Sequence, residues 1–217
     1  MYYAGIVFVL LFSLLPFGIS LLRWKTLDLP SRIFSVLLGF VFAVECVATF
    51  SAIRYQNNLA IYNVSGWLQM ALICLYFNFS IYCFRKIHLG IYLAVASIIL
   101  GIVNALYFEP LGKTNTFYLT YQAVLVLLLG ILLYTELLLK EGYVNTYRSV
   151  HFWLVLILVL FNSLTLVNFS LYDFLADLLS GSVYLLAVYI WICGVLANLG
   201  FTLVFIFYNR LNPTYGK

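Results

Sequence analysis

The run "IFSVLLGFVFAVECVATFSAI", residues 33–53, is apolar apart from small hydroxyl side chains and one acid, Glu45. A helix of roughly 20 apolar residues is what crosses a hydrocarbon core ~30 Å thick. A barrel strand would be shorter and would alternate polar with apolar positions. Runs of the same kind recur along the chain and predict spans at 2–22, 33–53, 61–84, 89–108, 117–139, 150–172 and 181–208. The connections between them are at most about ten residues, too short to hide a soluble domain. Of the 217 residues 65% are hydrophobic and 8% charged, a balance that leaves too little polar surface for a soluble fold. The predicted fold class is therefore all-α: a polytopic membrane protein whose residues 1–217 form a single seven-transmembrane-helix bundle.

The opening "MYYAGIVF" lacks a basic leader, so the first span is expected to persist as a helix, kinked at Pro16. Orientation follows from the basic residues, which are retained on the cytoplasmic side of a span. With the N-terminus outside, Arg23, Lys25, Arg32, Arg85, Lys86, Lys140, Arg148, Arg210 and Lys217 fall inside, and only Arg54 and Lys113 fall outside. The C-terminus is then cytoplasmic. The net charge of +4 reflects this topology and contact with anionic headgroups. Scattered over separate loops, it does not form the stripe that a nucleic-acid partner requires. Cys46, Cys74, Cys83 and Cys193 all lie within spans, where thiols pack as small hydrophobes, and no disulfide is expected.

Several chemistries lack their residues. A retinal Schiff base needs a lysine inside the membrane, yet every lysine falls in a loop or the tail. The "NPTY" at 212–215 lies beyond the last span and is one residue short of the receptor switch motif it resembles. Zinc needs three or four convergent ligands, and the two histidines, His88 and His151, sit at the inner ends of spans 4 and 6 and read as interfacial. With no Ser/His pair at one depth, no paired carboxylates and no phosphate loop, neither enzymatic chemistry nor a cofactor or metal is expected.

Glu45 remains. An ionisable side chain inside a membrane faces the bundle interior and finds a partner or neutralises. Span 2 runs outward and places Glu45 about eight residues, or ~12 Å, below the outer boundary. Span 3 runs inward and brings Gln69 to the same depth, so the two are expected to meet. The stripes Glu45, Ala48, Thr49, Ala52 and Ser65, Gln69, Leu72, Tyr76, Ser80 are small or polar at helical spacing, which permits close approach and hydrogen bonding. Further amides at this level complete a candidate ligand-binding set of Glu45, Thr49, Gln69, Tyr76, Asn104, Gln122, Asn162 and Asn168. Two readings stay open: the amides glue helices together, or they line a pocket for a small polar ligand, a cation or a proton.

The stretch "NNLAIYNVSGWLQMALICLYF", residues 57–77, with Glu45, "HFW" at 151–153 and "IWICGVLANLGF" at 190–201, resembles an uncharacterised family of bacterial seven-span inner-membrane proteins often encoded beside sensor histidine kinases. Gln69 stands where the resemblance leads one to expect a second acid, and no histidine lies near Cys193. The resemblance implies a multi-pass protein of the inner (plasma) membrane that senses, with a sensor kinase or other signalling protein as partner. The expected function is thus a receptor-like component that binds a small polar ligand or cation in the outer half of the bundle. A small transporter or channel for a polar solute or proton is the alternative, as is a structural subunit of a membrane complex.

Overall fold

The computed structural model describes the backbone of residues 2–170 and 183–211 and the side chains of 9–140, 146–166 and 188–211. All regular structure among these residues is helical: α1 (Tyr2–Leu22), α2 (Leu29–Tyr55), α3 (Leu59–Ser80), α4 (Tyr82–Ile87), α5 (Leu89–Tyr107), α6 (Thr116–Thr146), α7 (Val150–Ser170), α8 (Val183–Ile206) and α9 (Tyr208–Leu211), with one 3₁₀ turn at Trp24–Thr26. Five stretches, in α2, α3, α5, the Thr116–Lys140 part of α6 and the Val188–Ile206 part of α8, are long and apolar enough to cross a membrane. The described apolar parts of α1 and α7 are shorter, at Val9–Leu22 and Val150–Leu166. Leu22, Leu106 and Leu139 stand outward with 87%, 72% and 83% of their surface exposed, a cost in water that disappears against lipid. This is a multi-pass membrane protein.

Helix ends follow local chemistry. Asp28 caps α2, its Oδ1 accepting from the Ser31 amide at 3.0 Å, with Pro30 in the first turn. At the other end Gln56 takes a left-handed φ of 54° and its amide closes on Ala52. Asn57 then makes the turn itself: its Oδ1 accepts from the Leu59 amide at 3.0 Å and its carbonyl from Ser51 Oγ at 2.7 Å. The predicted third span, 61–84, needs correcting, because α3 stops at Ser80 and Ile81 is extended. The Tyr82 amide turns away from the helix to the Glu136 carboxylate on α6, at 2.9 and 3.0 Å, and the short α4 carries Arg85 and Lys86 away from α3. As the i, i+4 spacing predicts, Glu136 also pairs with Lys140, at 2.5 Å.

The helices pack as a ring. Next to α1 lie α2 and α8; α3 lies against α2, α5 and α6; α7 sits between α6 and α8. α3 is thus the most enclosed, with Met70, Cys74, Tyr76 and Phe77 fully buried. Its approach to α5 is closest at two glycines: Gly90 lies against Cys74 and Asn78, and Gly101 beneath the indole of Trp67. Both are places where small residues let helices touch in the absence of water.

Candidate functional site

Glu45 lies two to three turns before the end of α2 and is partly buried. Its carboxylate accepts from Tyr62 Oη at 3.0 Å, and no hydrogen bond joins it to Gln69 among the described residues. The expected Glu45–Gln69 pair is therefore replaced. Tyr62 and Gln69 are seven residues apart and share a face of α3; the phenol is longer than the amide side chain and reaches the acid along the groove. Thr49 and Gln69 are partly buried on the same two helices. Tyr62→Phe is expected to lower stability by about 1 kcal/mol, whereas Gln69→Ala should leave it within ~0.5 kcal/mol; thermal unfolding in detergent measures both.

A second constellation gathers at the end of the bundle that carries the basic loops. Tyr76, fully buried, packs edge-on against Phe34 and Phe77 with ring centroids 5.1 and 5.3 Å away. Its hydroxyl lies 3.2 Å from His151 Nδ1, in the first turn of α7. His151 Nε2 in turn lies 2.8 Å from Asp28 Oδ2, and the Asp28 amide donates to Tyr208 Oη at 2.9 Å. Four segments that are distant in sequence (α2, α3, α7 and α9) are tied together by one acid and one imidazole. Burial works against the charge on Asp28, but the hydrogen bond and charge of His151, with the bonds from Ser31, outweigh it and hold the carboxyl below the ordinary carboxylate range.

This arrangement has a chemical consequence. With Asp28 ionised, Nε2 of His151 donates to it and Nδ1 is left to face the Tyr76 hydroxyl, so both ring nitrogens are committed and the imidazole is held in one orientation. From the sequence alone His151 reads as interfacial, and nothing periodic marks Asp28 as its partner. An aspartate ahead of Pro30 at the start of one helix and a histidine in the first turn of another, both at the basic end, were the available signal.

A third cluster sits at the opposite end, between α3, α5 and α6. Glu109, in the loop after α5, accepts from Thr116 Oγ1 at 2.6 Å, from the Phe117 amide at 3.1 Å and from Asn104 Nδ2 at 3.0 Å. Asn104 Nδ2 also donates to Asn115 Oδ1 at 2.7 Å, which takes the Tyr118 amide as well, at 3.1 Å. Asn63 of α3 donates to the carbonyls of Leu111 and Lys113 at 2.8 and 2.9 Å. The loop 108–115 is thus pinned to α3 and α5 and caps α6. Gln122, two turns into α6, is buried and has its carbonyl directed at Gly66.

The eight predicted ligand residues therefore do not line one pocket. Glu45, Thr49 and Gln69 share the α2–α3 groove, while Asn104 and Gln122 belong to the α3–α5–α6 cluster. Tyr76 lies near the basic end, because it falls one turn before the end of α3. Asn162, though buried, spends its amide on the Leu158 carbonyl of its own helix at 2.8 Å, and Asn168 lies outside the residues whose side chains are described. Comparison of the chain with family profiles, curated proteins and solved structures finds no match.

Proposed function

We propose that this protein is a receptor-like component of a plasma membrane, with seven spans, its N-terminus outside and its basic end in the cytoplasm. It binds a small polar ligand in the outer half of the bundle and passes the event to a partner at the cytoplasmic face. The observation that carries the reading is the chain Tyr76–His151–Asp28. Any movement of α3 that shifts Tyr76 changes the partner available to His151, and through it the seat of α2 and α7 at the surface where a partner would dock. The asymmetry of basic residues supports the orientation, and the likeness to proteins encoded beside sensor kinases makes a kinase the preferred partner.

The test is cross-linking and affinity purification from native membranes. The expected result is a signalling protein retained by the wild type and lost when residues 140–149 are replaced; retention unaffected by that replacement would overturn the reading. A carrier is the second reading, favoured by Glu45, an ionisable group inside a span. Proteoliposomes discriminate the two: solute or proton flux that disappears in Glu45→Gln would establish the carrier and displace the receptor.

A further inference from the structure

The hairpin between α1 and α2, residues 23–32, carries Arg23, Lys25 and Arg32 against a single acid, Asp28. Asp28 caps α2 four residues ahead of Arg32, the spacing at which opposite charges on a helix pair, yet this pair does not form. The carboxylate spends Oδ1 on the Ser31 amide and Oδ2 on His151. The ion pairs among the described residues are Lys140–Glu136 and His151–Asp28, which leaves Arg32 without a carboxylate. Its guanidinium lies over the ring of Trp24 instead, with Cζ 5.9 Å from the centroid. Such a contact holds the charge in place and does not neutralise it.

Among the described basic residues of this end, Arg23 and Arg32 are half-buried and the others exposed. Water and salt screen an exposed cation; a half-buried one without a counter-charge forfeits part of its hydration. Of the unpaired nitrogens of Arg32, Nε alone is wholly enclosed, so the two terminal ones face outward. They form the fork that receives two oxygens of one phosphate or carboxylate. The surroundings narrow the choice of anion. Leu22, Trp24 and Leu29 of the same hairpin stand exposed, and apolar side chains beside a fixed cation match a molecule with an acidic head and an apolar body. Arg23 and Lys25 flank Trp24 in the chain and raise the local positive field, which favours a headgroup of net negative charge.

We propose that the α1–α2 hairpin binds an anionic phospholipid, its phosphate on the terminal nitrogens of Arg32 and its acyl chains against the exposed leucines. This requires only that the hairpin meet the headgroup layer, so it stands apart from the receptor reading.

Lipid retention is the test. The protein is reconstituted into phosphatidylcholine nanodiscs containing increasing phosphatidylglycerol, extracted into mild detergent, and the lipids still bound are counted by native mass spectrometry. The wild type is expected to keep phosphatidylglycerol in preference to phosphatidylcholine. Arg32→Gln should lower that preference about 5-fold or more, the worth of one basic residue at an anionic surface, at an unchanged thermal midpoint in pure phosphatidylcholine. Lys86→Gln, which removes the same charge from the exposed face of α4, should leave the preference as it was. No preference in the wild type, no loss in Arg32→Gln, or an equal loss in Lys86→Gln overturns the site. If Arg32→Gln does not fold, Arg32→Lys replaces it: the charge stays, the fork is lost, and a preference equal to that of the wild type overturns the phosphate contact. Glycerol 3-phosphate at millimolar concentration separates the two sources of phosphate. It is expected not to displace the retained lipid, and displacement would overturn the lipid in favour of a soluble phosphate.

Discussion

Asp28→Ala is expected to destabilise the detergent-solubilised protein by about 2–4 kcal/mol, because it leaves the part-buried imidazole of His151 without its hydrogen-bond partner. The side chains of His151 and Asp28 are only 17% and 12% exposed, so water does not take over the lost contact. The same change strips the first turn of α2 of its cap, a loss of about 1 kcal/mol contained in that range. Asp28→Asn keeps the cap and should cost less. A double-mutant cycle of Asp28→Asn with His151→Ala then isolates the pair, because substitutions that share a partner do not add. The pH dependence has a definite sign. A carboxyl held below its ordinary range in the folded state contributes stability that is fully present above pH ~4 and is lost as the pH falls through the folded-state value. Acid titration of the melting temperature should therefore show a shallower decline in Asp28→Asn than in the wild type; identical slopes would mean that the fold does not hold the Asp28 carboxyl below its ordinary range.

Gly90→Ala is expected to be the most damaging single-methyl addition, about 3 kcal/mol or failure to assemble. A Cβ there would overlap that of Asn78 and lie 2.5 Å from the Cys74 carbonyl oxygen and 2.9 Å from Asn78 Cα. Two of those atoms are backbone and cannot rotate away, so α5 must lift from α3. Lifting it also stretches the bond from the Gly90 amide to Asn78 Oδ1, 3.1 Å long. Gly194→Ala is the matched control, with no atom within 4 Å, and should be neutral or stabilising by ~0.5–1 kcal/mol. Yield of monodisperse protein and the thermal midpoint in detergent read both; equal behaviour of the two variants would mean that α3 and α5 do not pack through Gly90.

The helices were legible because their determinants are local. Length of apolar run and the basic loops each act within a few residues, so most predicted spans end within about a turn of the observed helices. Two ends differ: α6 runs on to Thr146, past the predicted end at 139, and α3 stops short because Glu136, a residue more than fifty positions away, captures the Tyr82 amide. The candidate sites fared differently for the same reason. Depth along a helix can be counted from the sequence, and it placed Glu45 opposite α3. Which side chain of that helix reaches the acid depends on side-chain length and the register of two cylinders, and Tyr62 wins over Gln69. His151 and Asp28 are 123 residues apart, and nothing periodic links them.

By itself the sequence determined that this chain is a helical membrane protein, where its helices turn, and which end carries the positive charge, since transfer free energies and capping are properties of short segments. Tertiary structure alone decided which polar groups meet: Tyr76 with His151 and Asp28, and Asn104 with Glu109 and Asn115. In a medium without water a buried polar group takes the partner that packing brings within 3 Å or so, and that choice is made by the whole bundle at once.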